Sequence, residues 1–371
     1  MKKMRTIIKI TICLIFVTFF AEVFESCSNN SVNPINSQRS DLTRSGKFIS
    51  FTSNLSGNYD IFLAQVDANG NLATTGLVYA TNPFNLTGAF NNLTDKQSNW
   101  SPDGKILVFS SQDPTPPGEE DIYAFFFTST GVLDTTITTL LSPKLLFSSN
   151  GKWDENPSFS PEGKYMIFDR RFDNNSPPGI DTADSRHILI GDVTGSGNSF
   201  TVSNIRPVTD TTTGKDEYNP KWSPRKNIRK VAYESAGSPT ATDHDIWVID
   251  PLNTSDNIDF YEPGRSGYPA WAPECTSIIF ESDQGNSGYY QIVSLGYPTN
   301  SGTPAVIVPS GAQNFRYPTR LPNGNIIAFI QINSSTQNGN IYIVSSSGGT
   351  SSKLLAGAPQ FDAANNLYPA W

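Results

Sequence analysis

The side chains best suited to chemistry in this sequence are acidic pairs and tyrosines that recur at matched places. Acidic pairs occur at residues 154–155 and 216–217, and Tyr268, Tyr317 and Tyr368 stand 49 and 51 residues apart. Carboxylates transfer protons or attract cations, and tyrosines offer rigid contact area with a polar end. Whether these groups form one site depends on the elements that carry them.

The usual residues of covalent catalysis and of metal binding are scarce. No Gly-x-Ser-x-Gly elbow occurs, and the histidines are His187 and His244 alone. Each histidine stands at the start of a predicted strand, where a structural role is more common than metal ligation. We therefore assign no catalytic residue, expect neither a metal nor a cofactor, and leave enzyme activity open.

An internal repeat supplies the elements that must position these groups. The phrase Trp-Ser-Pro-Asp-Gly at residues 100–104 returns in varied form at intervals of 59, 63, 49, 49 and 51 residues. The anchor positions of the repeat are Trp100, Phe159, Trp222, Trp271, Arg320 and Trp371. Intervals near fifty residues, rich in strand and turn signals, are typical of four-stranded propeller blades.

Each repeat predicts the same succession of elements. The anchor ends a first strand, a turn follows, and an apolar second strand carries an aromatic residue nine to eleven positions after the anchor. A third strand and a weaker fourth strand come next. The N-terminal repeat lacks a first strand, whereas residues 368–371 form a first strand with nothing after it. We therefore predict an all-β fold over residues 45–371, a six-bladed propeller of four-stranded antiparallel blades closed by pairing of the chain ends.

The repeat also places the candidate residues at one mouth of the central channel. The position three residues before each anchor carries different residues in different blades. We expect such variation where a shared scaffold faces a ligand. The predicted ligand-binding set joins these positions to their charged neighbours: Gln97, Asp154, Glu155, Asn156, Asp216, Glu217, Asn219, Tyr268, Arg316, Tyr317 and Tyr368. We expect an exposed acidic half and a tyrosine-rich half, suited to a basic peptide segment. A merely solvated acidic rim is the alternative.

The N-terminal residues are typical of an export signal. Basic residues precede an apolar stretch at residues 10–21, which is too short for a permanent membrane span. We predict a signal peptide at residues 1–26, a lipid on Cys27 and a polar tether at residues 27–44. The formal net charge of −8 argues against a nucleic-acid partner. An exported lipoprotein at the periplasmic or surface side of the outer membrane would contact the membrane through its lipid alone.

The phrase at residues 100–104 and the motif Asp121-Ile122-Tyr123 resemble the repeat of the TolB-like propeller family. The resemblance covers about residues 45–371, and Cys275 and Arg320 depart from the family pattern. It implies a propeller in a periplasmic or surface setting. We expect no counterpart of the N-terminal α/β domain of TolB, because residues 28–44 are too few for one.

The preferred functional interpretation is a non-catalytic binding or scaffold lipoprotein of the cell envelope. Its ligand would be a peptide, a protein segment or a glycan docked at the channel mouth. The alternative is a polysaccharide-active lyase or hydrolase that uses tyrosines and carboxylates at that mouth. A third possibility is a purely structural part of a surface assembly.

Overall fold

The computed structural model describes residues 48–67, 69–72, 83–90, 93–112, 119–128, 133–139, 142–148, 152–172, 184–261, 264–284, 288–299, 302–311, 313–356 and 358–371. The predicted signal peptide, Cys27 and the predicted tether lie outside the described residues. The described part is almost wholly β, with short 3-10 turns at Gly197–Ser199 and Pro359–Asp362. A search of these residues finds no helix of the length and apolarity needed to span a membrane.

The described strands group into antiparallel units of four, numbered here from the N-terminus. Unit one contains the first three strands and the last strand: Phe48–Ser53 (β1), Asp60–Gln65 (β2), Phe84–Asn85 (β3) and Asn366–Ala370 (β24). Unit two contains Asp95–Trp100 (β4), Ile106–Gln112 (β5), Glu120–Phe126 (β6) and Lys144–Phe147 (β7). Unit three contains Trp153–Phe159 (β8), Tyr165–Arg171 (β9), Arg186–Thr194 (β10) and Thr201–Pro207 (β11). A single parallel bridge between Glu120 and Trp153 joins units two and three.

The remaining units repeat this order. Unit four contains Asp216–Trp222 (β12), Val231–Ala236 (β13), His244–Asp250 (β14) and Asn253–Tyr261 (β15). Unit five contains Ser266–Trp271 (β16), Ser277–Ser282 (β17), Gln291–Gly296 (β18) and Ala305–Val308 (β19). Unit six contains Asn314–Arg320 (β20), Ile326–Ile332 (β21), Gly339–Ser345 (β22) and Ser352–Lys353 (β23).

The strands that lead to the anchors are called the inner strands: β4, β8, β12, β16, β20 and β24. Each inner strand contacts the inner strand of the next unit, and β24 contacts β4. The chain ends also meet, because β24 pairs antiparallel with β1 and places Ala370 opposite Ser50. The pairing of the two ends predicted from the sequence is therefore present.

Tight turns connect the inner strand to the second strand in units two, three, five and six. After Trp100 the amide of Gly104 donates to the carbonyl of Ser101 at 2.9 Å, and Gly104 has a φ of 66°. Glycine suits this left-handed position because it has no Cβ to clash. Cys275 occupies the same position in unit five with a φ of 56°. Unit five therefore places a residue with a Cβ at a left-handed position where the repeat has glycine.

Apolar side chains pack between consecutive units rather than within one unit. Ile61 and Leu63 of unit one, for example, pack against Leu107 and Phe109 of unit two. Among the described residues, corresponding clusters join each of the remaining consecutive pairs of units, and one of them joins unit six to unit one. In that last cluster Phe51 shares a core with Ile330 and Trp371, so burial as well as pairing links the two ends of the chain.

Candidate functional site

A repeated backbone distortion marks the positions three residues before the anchors. All six residues there have positive φ angles between 48° and 57°: Gln97, Asn156, Asn219, Tyr268, Tyr317 and Tyr368. The strand pairing shifts register beside them, so each inner strand contains a bulge. Asparagine tolerates a left-handed backbone, but a bulky residue such as tyrosine is a true outlier there. The three tyrosines are therefore held in place against a backbone cost.

Acidic side chains of the preceding unit hold three of these bulges. The amide of Asn219 donates to Asp169 Oδ1 at 3.1 Å and that of Tyr268 to Glu234 Oε2 at 3.2 Å. The amide of Tyr317 donates to Glu281 Oε2 at 3.0 Å. Each of these carboxyl oxygens satisfies the amide of a strained residue, which favours the left-handed backbone.

The tyrosines of units five, six and one form a compact cluster. The ring centroids of Tyr268 and Tyr317 are 4.4 Å apart, and those of Tyr317 and Tyr368 are 4.7 Å apart. All three side chains are only partly buried. Burial raises the pKa of each phenol above its usual range, so all three keep their protons at neutral pH. The tyrosine cluster is thus a neutral aromatic surface with hydroxyl groups.

Arg316 borders the tyrosine cluster. Its guanidinium lies 5.3 Å from the ring of Tyr317 and 4.5 Å from that of Tyr290, within cation–π range. Its Nε also donates to Glu281 Oε1 at 2.8 Å. Arg316 is therefore neutralised by an acidic partner while it supports the aromatic rings.

The predicted acidic half is organised differently from the expectation. Asp154 and Asp216 are buried, and each accepts hydrogen bonds from an arginine. Arg170 Nε donates to Asp154 at 2.6 Å, and Arg186 Nε donates to Asp216 at 3.0 Å. Glu217 is also buried, and its Oε2 lies 3.1 Å from His187 Nδ1.

Glu155 belongs to a buried cluster centred on a lysine. Lys96 Nζ lies 3.0 Å from Glu155 and 3.0 Å from Glu120. Burial alone would raise the pKa of Glu155, but Lys96 and two arginines lower it to about 2. Burial raises the pKa of Glu120 to about 8. At neutral pH the negative charge beside Lys96 therefore lies mainly on Glu155.

The expectation that these four carboxylates are exposed is wrong. Each of them has a basic side chain within 4 Å, and most of those bases come from second and third strands, which the repeat analysis did not search for charges. A carboxylate that is paired inside the protein attracts a cationic partner weakly. The tyrosine-rich half is the part of the predicted set that stays available for contact.

The sequence analysis missed the acidic residues that organise the site. Asp169, Glu234 and Glu281 each directly follow the repeated aromatic residue of the second strand. Burial raises the pKa of Asp169 to about 8 and raises that of Glu281. For Glu234 the hydrogen bonds from His244, Tyr218 and Asn219 outweigh burial and lower the pKa. A buried acid at one fixed position in three successive repeats was the signal that could have found them.

Each histidine contacts a buried glutamate of the candidate site. His187 contacts Glu217, as described above, and His244 Nδ1 lies 2.6 Å from Glu234 Oε1. Within the described part of the chain, no three histidine, cysteine or acidic side chains are arranged to hold a metal ion.

Solved structures with the same architecture identify the fold. No known sequence family and no curated protein matches the chain. TolB from Acinetobacter baumannii superposes with a TM-score of 0.61 at 16% identity, covering 88% of this chain and 67% of that one. Oligogalacturonate lyase from Vibrio parahaemolyticus gives 0.52 at 11% identity, covering 84% and 75%. A chain of the nidogen/laminin complex gives 0.56 at 8% identity, covering 87% and 97%. At these identities the likeness shows the fold alone, and the chain therefore has a β-propeller fold similar to that of TolB.

Proposed function

We propose that this chain is a non-catalytic binding protein of the cell envelope whose ligand docks on the tyrosine cluster. The observation that carries the proposal is the left-handed backbone at Tyr268, Tyr317 and Tyr368. Units two, three and four place glutamine or asparagine at the same bulge, so the fold does not need an aromatic residue there. Strained residues that the fold does not need are concentrated at functional sites.

The proposal includes a closed ring of six blades with the tyrosine cluster at one mouth of its channel. Three features support it: the pairing of β24 with β1, the cyclic order of contacts between inner strands, and the apolar cluster shared by units six and one. A ring places the free edge of every inner strand around the channel, where it is short and protected, and this favours a stable isolated domain.

The ligand we propose is a protein or peptide segment bound mainly by aromatic contact. Tyrosines lose little conformational entropy on binding and are frequent hot spots of protein interfaces. Because the neighbouring carboxylates are paired internally, salt should weaken binding only slightly, unlike binding to an exposed acidic rim. A partner of this kind agrees with the nidogen/laminin complex, in which a similar fold occurs in a protein–protein complex.

The matched test replaces Tyr317 by asparagine, the residue that Asn156 and Asn219 already supply at equivalent bulges. Tyr317→Asn keeps a residue suited to positive φ, so we expect equal or greater thermal stability. Cross-linking in membranes followed by co-purification should recover the partner with the parent chain and lose it, by tenfold or more, with Tyr317→Asn. The control is Tyr165→Asn, at the start of the second strand of unit three, where the ring stacks on Trp222 and takes no part in the tyrosine cluster. Equal recovery with Tyr317→Asn would refute the docking site.

The alternative function is a polysaccharide lyase or hydrolase. One observation favours it: Asp169, whose pKa burial raises to about 8, could donate a proton at neutral pH. The lyase of similar fold supports the same reading. Release of unsaturated or reducing ends from envelope or plant polysaccharides by the parent chain, and its loss in Asp169→Asn, would favour the enzyme over the binding protein.

Export and lipid attachment through Cys27 are part of the proposal. The basic start, the apolar stretch at residues 10–21 and the polar residues after Cys27 support it. A clickable fatty acid should label the parent chain in the membrane fraction and should not label Cys27→Ser. Labelling that persists on Cys27→Ser would contradict the lipid assignment without affecting the tyrosine site.

A further inference from the structure

A cavity lies at the C-terminal ends of the inner strands, where the anchors follow the tyrosine cluster by three residues. It has a volume of about 200 Å³ and is lined by anchor residues and by the turns that follow them. Four tryptophans belong to its lining, together with the prolines of the turns: Trp100, Trp222, Trp271 and Trp371. The space is large enough for a small organic molecule, and its walls are polar and apolar in similar measure.

Lys221 enters this cavity from a position that is small and uncharged in most other units. The residues directly before the other anchors are Asn99, Ser158, Ala270, Thr319 and Ala370. Lys221 has no ion pair with any described residue, and burial lowers the pKa of its amine to about 8. The side chain is partly exposed, and Asp169 attracts the amine from beyond ion-pair distance, so Lys221 is a candidate for binding an external anion as a closer partner.

Arg320 is the second cation in the lining, and it too departs from the repeat. It replaces the tryptophan or phenylalanine that the other five anchors carry. Its guanidinium donates to the carbonyl of Gly324 at 3.1 Å, while its buried Nε has no acceptor among the described residues. Burial lowers the pKa of Arg320, but an arginine stays charged at neutral pH.

The lining contains no aspartate and no glutamate, although the whole chain has a net charge of −8. Two cations therefore share one aromatic cavity in an acidic protein, and the carboxylates that attract them, Asp169 and Glu274, lie outside the lining. The field inside the cavity favours an anion, and the tryptophan and proline walls favour an apolar body attached to it.

We propose that this cavity binds a small carboxylate with an attached apolar or aromatic group, its carboxylate held by Lys221 and Arg320. The fork of an arginine matches the two oxygens of a carboxylate, and the lysine supplies a second donor. The carboxylate can be that of a free organic acid or the C-terminus of a peptide. This site is independent of the tyrosine cluster, since the two share none of their residues.

The test uses the full mature chain and tryptophan fluorescence, because four tryptophans line the cavity. The probes are N-acetyl-phenylalanine, its amide, a short peptide with a free phenylalanine C-terminus and inorganic phosphate. We expect saturable binding of the carboxylate at millimolar or lower concentration, at least tenfold weaker binding of the amide, and weaker binding of phosphate. Which of the free acid and the peptide binds more tightly distinguishes the two sources.

Variants connect the binding to the two cations. Lys221→Ala introduces the residue found at 270 and 370, and Arg320→Trp restores the aromatic anchor, so both should fold. Each should weaken carboxylate binding at least tenfold, whereas Arg206→Ala, which removes a surface cation paired with Asp192, should not. Equal binding of acid and amide, unchanged binding in Lys221→Ala, or no binding of any carboxylate would overturn the proposal. None of these results depends on the tyrosine cluster, which Tyr317→Asn tests. Each of the two site proposals can therefore be refuted without the other.

Discussion

At the scale of single residues, hydrogen bonds to buried acidic side chains partly offset the backbone strain at the tyrosines. A left-handed backbone costs an L-residue roughly 1–2 kcal/mol. Glu234 and Glu281 offset part of that cost by accepting the amide hydrogen bonds of Tyr268 and Tyr317. The same burial that positions these acids makes several of them hard to ionise, so stability should depend on pH.

Asp169 gives the clearest pH dependence. Its pKa is about 8 in the folded chain against 3.8 for an ordinary aspartate, so the folded state holds a proton that the unfolded state releases near pH 4. Stability should therefore fall as the pH rises from about 4 to about 8. Urea unfolding at pH 5 and pH 8 measures the decline, and Asp169→Asn should reduce it. Asp192→Asn, at an exposed aspartate whose pKa is lowered, should leave the decline unchanged.

A decline that is identical in the parent chain and in Asp169→Asn would show that this carboxyl is ionised in the folded protein. Glu155 does not contribute to the decline in stability between pH 5 and pH 8. Its pKa is lowered to about 2, so its contribution is constant above about pH 4.5 and is lost only in stronger acid.

Lys96 should be among the most costly charges to remove. Its amine lies between two glutamates whose side chains are about 5% exposed. Lys96→Met leaves Glu120 without its cation and leaves Glu155 with the more distant Arg171, and removing one partner of a buried pair costs about 3–5 kcal/mol. Denaturant unfolding at pH 7 measures the loss. Lys353→Met, at an exposed pair with Asp362, should cost at most about 1 kcal/mol. A similar cost for both variants would mean that the cluster is effectively solvated.

At the scale of elements, the unit is built on a turn that requires a left-handed residue. Gly163 has a φ of 68° and a Cβ placed on it would meet no atom within 4 Å. Any cost of Gly163→Ala is therefore backbone strain alone, and we expect about 1–2 kcal/mol. Gly214→Ala is the matched control, since that glycine also has open space but no positive φ. It should be neutral or slightly stabilising.

Thermal unfolding of the two glycine variants decides between strain and packing at this turn. If Gly163→Ala melts with the parent chain, the turn relaxes freely and the left-handed position is not required. In that case Cys275, at the same position of unit five, would also be unstrained.

At the scale of the whole molecule, the two chain ends complete one unit. Ser50 and Ala370 are 320 residues apart in sequence and directly opposite in the β1–β24 pair. Opposed residues of antiparallel strands lie within the range that a disulfide can bridge. Ser50→Cys with Ala370→Cys, in a chain that begins at residue 28, should form a disulfide and raise stability by about 2–4 kcal/mol.

Ser50→Cys combined with Ser255→Cys is the control, because Ser255 lies in the outer strand of unit four. Mass spectrometry after mild oxidation should find the bridge in the first variant only. Absence of the bridge from folded protein would mean that the two ends do not pair in solution.

The repeat, the strands and the turns could be predicted from the sequence alone, and the incomplete first and last repeats also predicted the pairing of the chain ends. These features follow from local rules, because alternating apolar strands, Pro-Asp-Gly turns and anchors such as Trp100 and Trp271 act over a few residues. The sequence also brought Tyr268, Tyr317 and Tyr368 to one place, since they occupy one position of the repeat.

The electrostatics of the site depend on contacts that form when the units pack. Asp154 meets Arg170 and Asp216 meets Arg186 across different strands, so the sequence could not show that an acidic surface is internally neutralised. The left-handed bulges depend on acids of the preceding unit, and the cavity with Lys221 and Arg320 depends on how six anchors converge. Contacts between units join residues far apart in the chain, and their distances and burial arise only when the strands pack.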